Sequence, residues 1–357
     1  MIIEIAKFKS RSEIMKSHYE VAVFGAGRIG NVHARNVAAH PSTSVKYVVD
    51  PLATAADALA RACQARTADE PTALDAPDVD AIVIASSTNT HADLIERGLK
   101  AGKAMFCEKP IDLDIRRVDA CLAAIVGLEP PLFLAFNRRF DPAIAELRRR
   151  IDEGVIGALE MVTVVSKDPG ALPIEYLKVS GGMFRDMTIH DFDMARFILG
   201  EEPITVTATA ATLTDPAIKA EGDIDTACVT LQTASGKIAI ITNSRRASFG
   251  YDQRVEAHGS LGTLRTENVP RYHLVQERED GVLREKPQFF FTDRYAQSYV
   301  AEWAHFVRVL AGEEKPNPTG EDGRKALLLA EAAYESLLTG QRVDIRTFVP
   351  AVLRAAE

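Results

Sequence analysis

Positive charge is in the minority in this chain. Lys and Arg number 42 against 50 Asp and Glu, a formal charge of −8, and the longest basic run is Arg148, Arg149, Arg150. This argues against nucleic acid or an anionic membrane surface as the main partner, because both favour clustered cations. Cysteine is also scarce. Cys63, Cys107, Cys121 and Cys228 are scattered, with no C-x-x-C pair and no histidine at ligand spacing, which argues against a disulfide framework and against any metal site. Reduced thiols in a cytoplasm are the expected state. Long apolar runs are missing as well: the stretch at 81–85 is strand-sized, far below the roughly 20 residues that cross a bilayer. Residues 1–17 carry Glu4, Lys7, Lys9 and Arg11 where a signal peptide needs an apolar core. They are expected to be an extension outside the fold, upstream of a start at Met15.

What is present is enough chain for two domains, 357 residues, each able to bury its own core. Short β-branched runs at 21–24, 45–49, 81–85, 104–107 and 132–136 alternate with helix-patterned segments, such as 92–101 closed by Gly102. Alternation of this kind predicts a parallel sheet covered on both faces, and the continuously apolar strands agree. After Phe136 strand-like runs follow one another without helices, at 159–165, 204–213, 226–233, 237–243, 254–258 and 262–266. They predict an antiparallel sheet in an α+β domain, with Gly236, Gly259 and Gly262 as turn signals. Helices are expected at 295–310 and 321–338, and a last strand near 342–346. The division expected is an extension (1–17), a nucleotide domain (18–136), a substrate domain (137–346) and a tail (347–357).

Gly25, Ala26, Gly27, Arg28, Ile29 and Gly30 form a G-x-G-x-x-G that follows a strand, opens a helix, and precedes Asp50 by 20 residues at the end of the next strand. Glycines there allow a tight turn and let the backbone approach a pyrophosphate, whose charge meets the helix N-terminus. Asp50 would accept from the adenine ribose hydroxyls and repel a 2′-phosphate, which favours NAD over NADP. A second nucleotide motif for a flavin is absent. The plainer alternative is a glycine turn that binds nothing.

Glu108, Lys109 and Pro110 end a strand where an open parallel sheet binds its ligands. Asp186 and His190 stand four apart, which predicts one helix face shared by a carboxylate and an imidazole, a pair suited to general base catalysis. Alcohol oxidation needs a base for the hydroxyl proton, the part assigned to His190, and a cation beside the reacting oxygen, the part assigned to Lys109. Each residue also has a purely structural reading, and Asp191 and Asp193 compete as the working carboxylate.

These segments together resemble the Gfo/Idh/MocA family of oxidoreductases over residues 19–346. The resemblance rests on GAGRIGNVHARN from Gly25, THADLI from Thr90, Glu108-Lys109-Pro110, FNRRFDP from Phe136, GGMFRDMTIHDFDMARFILG from Gly181, and Phe249-Gly250-Tyr251-Asp252. The glycine loop and Glu-Lys-Pro are family-wide, whereas NRRFDP and the long Gly-Gly segment resemble its inositol-oxidising members. The resemblance implies a Rossmann doubly wound parallel sheet followed by an α+β domain with a large, open, mainly antiparallel sheet that forms dimers or tetramers. It implies conversion of myo-inositol and NAD to 2-keto-myo-inositol (scyllo-inosose), NADH and a proton, with His190 as acid/base and Lys109 and Asp186 completing the catalytic group. Arg138 would lie between cofactor and substrate. Thr88, Asn89, His91 and Glu108 would join the glycine loop and Asp50 at the cofactor. Substrate contacts are expected at Asp168, where relatives can carry Asn, and at Tyr251 and Tyr299, two residues that equally fit core aromatics. The rivals are a dehydrogenase of another inositol isomer or an aldose, and a non-catalytic NAD-binding regulator. The joint presence of Lys109, Asp186 and His190 speaks against the regulator.

Overall fold

The computed structural model describes residues 16–127, 131–170 and 173–354. The expected extension therefore lies almost wholly outside the described residues, apart from Lys16, which pairs with Asp80, and Ser17.

The first sheet is built from β1 (Tyr19–Phe24), β2 (Thr43–Val49), β3 (Arg66–Thr67), β4 (Ala81–Ile84), β5 (Ala104–Glu108) and β6 (Leu132–Ala135), joined through α1 (Arg28–Ala39), α2 (Ala53–Ala62), α3 (Glu70–Asp75), α4 (His91–Lys100) and α5 (Ile115–Ile125). All its pairings are parallel, in the order β3-β2-β1-β4-β5-β6. Helices on both sides leave every residue of β4 buried, which is why its sequence is uniformly apolar. Gly102, at φ +70, lets the chain leave α4. The order reverses between β1 and β4, and the crevice at their carboxyl ends is where such a sheet takes a ligand.

The second unit follows as α6 (Pro142–Asp152), capped by the Asp141 side chain, β7 (Leu159–Lys167), α7 (Ile174–Ser180), α8 (Met183–Asp186), α9 (Thr188–Leu199), β8 (Pro203–Ala211), α10 (Pro216–Ala220), β9 (Thr226–Thr233), β10 (Ile238–Ser244), β11 (Asp252–Gly259) and β12 (Gly262–Arg265). A small hairpin, β13 (Val275–Arg278) and β14 (Gly281–Arg284), precedes α11 (Phe291–Arg294), α12 (Ala296–Leu310), α13 (Gly320–Thr339), β15 (Val343–Asp344) and α14 (Ala351–Arg354). Its seven-stranded sheet runs β12-β11-β7-β10-β9-β8-β15. The sheet is mainly antiparallel, as expected, with one parallel pair: β8, β9 and β10 form a meander whose third strand lands beside β7 in the same direction.

One face of this sheet is covered by α9 and α13 and the other is open. Along β9 the residues Ala227, Val229 and Leu231 are buried while Cys228 and Thr230 are exposed, as are Thr207 and Thr209 on β8, the period of two expected of a sheet covered on one side. Helix α12 packs back on the nucleotide unit instead. Its Trp303 and Phe306 join Val21, Val23, Phe106 and Phe133 in one buried cluster, so a segment late in the chain completes the first core. At the end of the chain, Val352 and Leu353 rest against the main core, and Arg354 pairs with Glu335.

Candidate active site

The three loop glycines have three different environments. A Cβ on Gly25, at φ +104, would lie 2.4 Å from the Ala85 carbonyl oxygen, and one on Gly30 would lie 2.0 Å from the Gly25 carbonyl oxygen. Both are required by close backbone packing. Gly27 has an ordinary φ of −70 and nothing within 4 Å of its Cβ position, so its smallness serves open space at the head of α1. The first turn of α1 carries no acidic side chain, which leaves its N–H groups available to an anion. Asn31 braces the loop by donating to the Ala26 and Gly27 carbonyls at 2.9 Å each. Asp50 sits beside it, accepting from Ala26 N–H at 2.7 Å and Leu52 N–H at 2.8 Å. Lone pairs remain on both carboxylate oxygens. Arg28 lies over the Phe290 ring, and Ile29 packs against Tyr251, Tyr295 and Tyr299. These residues fit a dinucleotide cradle.

The same crevice receives the ends of β4 and β5. Thr88 and Asn89 lie on a short 3-10 turn after β4. His91 is buried, with Nδ1 2.8 Å from the Pro110 carbonyl and Nε2 3.1 Å from the Ser86 carbonyl, so it ties that turn to the Lys109–Pro110 peptide. Glu108 meets His33 Nε2 at 2.7 Å and accepts from the Lys109 N–H at 3.3 Å. Lys109 Nζ donates to the main-chain oxygen of Asp186 at 2.8 Å.

Asp186 and His190 do not share a helix. α8 ends at Asp186, α9 begins at Thr188, and Met187 is the break between them, which corrects the single-face reading. The Asp186 carboxylate accepts from Tyr176 Oη at 2.8 Å and from both Arg245 Nη atoms at 3.4 Å. His190 Nδ1 is buried with no partner among the described residues. Burial, with the charges of Lys109 and Arg138 adding to it, holds the His190 imidazole well below its usual pKa and hence neutral. A neutral imidazole keeps one acceptor nitrogen, so the ring can take up a proton.

The rival carboxylates are committed to arginines. Asp191 accepts from Arg138 at 2.5 Å and Asn243 at 2.7 Å, and Asp193 accepts from Arg139 at 2.5 and 2.9 Å. Asn243 in turn accepts from Thr188, a buried chain that sets the Arg138 guanidinium beneath the Tyr295 ring. Asp168 follows β7, its N–H on the Ser244 carbonyl at 2.9 Å. Burial pushes its carboxyl up to about 7, with the Arg245 charge opposing and Asp186 adding. Tyr251 and Tyr299 belong to the buried three-ring cluster with Tyr295, and burial raises both phenols well above their usual range. A separate concavity of about 520 Å³, lined by Arg35, Ser44, Cys63 and Gln64, lies at the opposite, amino-terminal end of β2. The chemistry-bearing residues do not face it.

Residues 19–133 match the oxidoreductase family with an NAD-binding Rossmann fold, and residues 144–265 match the GFO/IDH/MocA C-terminal domain. The chain belongs to the GFO/IDH/MocA family. Inositol 2-dehydrogenase of Rhizobium meliloti (strain 1021) is 51% identical over 325 residues, which cover 90% of this chain and 98% of that protein. The crystal structure of a myo-inositol dehydrogenase from Corynebacterium glutamicum ATCC 13032 superposes with a TM-score of 0.88 at 42% identity, covering 92% of this chain and 98% of the other. Scyllo-inositol dehydrogenase from Lactobacillus casei, crystallised with NAD(H) and scyllo-inositol, gives 0.85 at 28%, covering 92% and 100%. Within this GFO/IDH/MocA chain the sequence pointed to Lys109, Arg138, Asp168, Asp186 and His190, and the fold brings them within electrostatic reach of one another. It did not point to Tyr176, Arg245, Asn243 or His33, which lie 10 to 75 positions from the groups they hold and carry no local pattern.

Proposed function

We propose that this chain oxidises myo-inositol with NAD, giving 2-keto-myo-inositol, NADH and a proton. The observation that carries the proposal is the neutral, buried His190 imidazole, which feels the charges of both Lys109 and Arg138 and has one ring nitrogen without a partner among the described residues. His190 takes the hydroxyl proton as general base. Lys109, held by the Asp186 carbonyl, stabilises negative charge developing on the oxygen. Bound NAD would supply the hydride acceptor for the carbon that bears that oxygen. Asp186 completes the group, its carboxylate oriented by Tyr176 and Arg245.

Gly25, Gly27, Arg28, Ile29, Gly30, Asp50, Thr88, Asn89, His91, Glu108, Lys109 and Arg138 form the cofactor side. Arg138, Asp168, Tyr251 and Tyr299 form the substrate side. The three cations Lys109, Arg138 and Arg245 are offset by Asp186, Asp191 and Asp223 nearby, which suits an uncharged polyol rich in directional hydrogen bonds. The relatives named for inositol support that choice. The open face of the seven-stranded sheet supports a homo-oligomer, a dimer or tetramer, and the protein is read as cytoplasmic.

The experiment is a panel of inositol isomers and aldoses with NAD and with NADP, followed by NADH formation. Turnover of myo-inositol with NAD is expected. Absence of turnover with every inositol sinks the proposal, and a preference for scyllo-inositol or an aldose replaces the substrate while keeping the chemistry.

A further inference from the structure

β7 and β10 are paired in parallel with Lys167 opposite Ser244, so the next residues, Asp168 and Arg245, leave the sheet side by side. Both backbones are fixed there. Asp168 N–H donates to the Ser244 carbonyl, and Arg245 N–H donates to the Asp225 carbonyl at 2.8 Å. The Arg245 side chain is fully buried, yet its contacts are loose: 3.4 Å from both Nη atoms to Asp186 Oδ2 and 3.8 Å from Nη2 to Asp223 Oδ2. Its Nε has no partner among the described residues. A buried guanidinium is ordinarily matched by short, bidentate contacts. Here it has donor capacity to spare beside the Asp186 carboxylate.

We propose that Arg245 is a positioning residue of the polyol pocket, one that orients the Asp186 carboxylate and keeps Asp168 in the ionised form that accepts hydrogen bonds from ring hydroxyls. This rests on the roles given above to Asp186 and Asp168. The Asp168 carboxyl faces Arg245, Asp186, Arg138, Asp191 and Tyr251. Burial and the two neighbouring carboxylates favour its proton; Arg245 and Arg138 oppose it. Without Arg245 the balance tips toward the protonated form at neutral pH, and an acceptor becomes a donor. The loss also frees one of the two side chains that grip Asp186, leaving Tyr176.

The test compares wild type, Arg245→Gln, Arg245→Lys and Asp168→Asn. The KM for myo-inositol is followed against pH at saturating NAD, with NADH affinity measured in parallel as a check on folding. In wild type KM should rise as pH falls through about 7, and in Asp168→Asn that limb should vanish. In Arg245→Gln the limb should move upward by about one unit or more, and kcat should fall on the order of tenfold. Arg245→Lys restores a charge but not the planar fork, so the limb should return toward its wild-type position while kcat stays low. NADH affinity should stay within about twofold throughout. A wild-type limb and kcat in Arg245→Gln overturn the proposal. If Arg245→Gln loses NADH binding, Arg245→Lys decides: wild-type kcat and KM at every pH overturn it, and a lowered kcat supports it. A limb that persists in Asp168→Asn removes Asp168 from the substrate side, a failure of the earlier reading and separable from that of Arg245.

Discussion

Gly27 and Gly30 are three residues apart in one loop, and the same substitution to alanine should have opposite consequences at the two. At Gly27 an added methyl meets nothing within 4 Å and φ is −70, so the folded state has no strain to relieve. Replacing glycine restricts the unfolded chain, worth about 0.4–1 kcal/mol. Alanine is a poorer helix cap by a comparable amount. The two offset, and the melting temperature of Gly27→Ala should stay within about 2 °C of wild type. The methyl does fill the space by which a pyrophosphate reaches the first-turn N–H groups, so NADH affinity should fall at least about tenfold, or about 1.4 kcal/mol. At Gly30 the methyl would lie 2.0 Å from the Gly25 carbonyl oxygen and 2.8 Å from its carbon, atoms that move only if α1 lifts off the loop. That overpacking should cost about 1–3 kcal/mol and lower the melting temperature by several degrees. NADH fluorescence titration and thermal unfolding on both variants make the assay. Wild-type NADH affinity in Gly27→Ala, or its early unfolding alongside Gly30→Ala, would refute the division between a ligand-facing and a packing glycine.

Three further outcomes are expected. His190→Ala should lose turnover by at least about a hundredfold while keeping NADH affinity; unchanged kcat removes His190 from its role. Asp50→Asn keeps an acceptor for the Ala26 N–H and removes the charge, so the ratio of kcat/KM for NADP to that for NAD should rise about tenfold or more; a constant ratio sinks the repulsion argument. Asp168 has a folded pKa raised from 3.8 to about 7, so its contribution to stability is present below pH 4 and lost as pH rises through 7. Three units correspond to an upper bound on the order of 4 kcal/mol. Asp168→Asn should therefore be more stable than wild type at pH 8, with the gap closing toward pH 4, as read by denaturant unfolding; equal stability at pH 8 contradicts this.

Much of the fold was legible because burial writes itself locally. The predicted strand at 226–233 coincides with β9, and the helix expected at 295–310 became α12. β3 escaped notice because its two residues, Arg66 and Thr67, are exposed and carry no apolar signal. The hairpin of β13 and β14 is exposed at every position and was equally silent. Strand direction at β7 and β10 depends on how a meander docks, information absent from either segment. In the site, residue types were readable and partnerships were not. The four-residue interval from Asp186 to His190 looked like one helix face, but Met187 interrupts it, and the Asp186 carboxylate turns to Tyr176 and Arg245. A signal for the counter-ions did exist: adjacent Arg138 and Arg139 answer Asp191 and Asp193, two apart on α9.

Lys109 is moored to the main-chain oxygen of residue 186, not to its side chain. Every amino acid supplies that oxygen. Drift at position 186 can therefore trade the carboxylate for another group without setting the lysine adrift, so a lineage built on this scaffold can explore new partners for the reacting carbon while one cation stays in place.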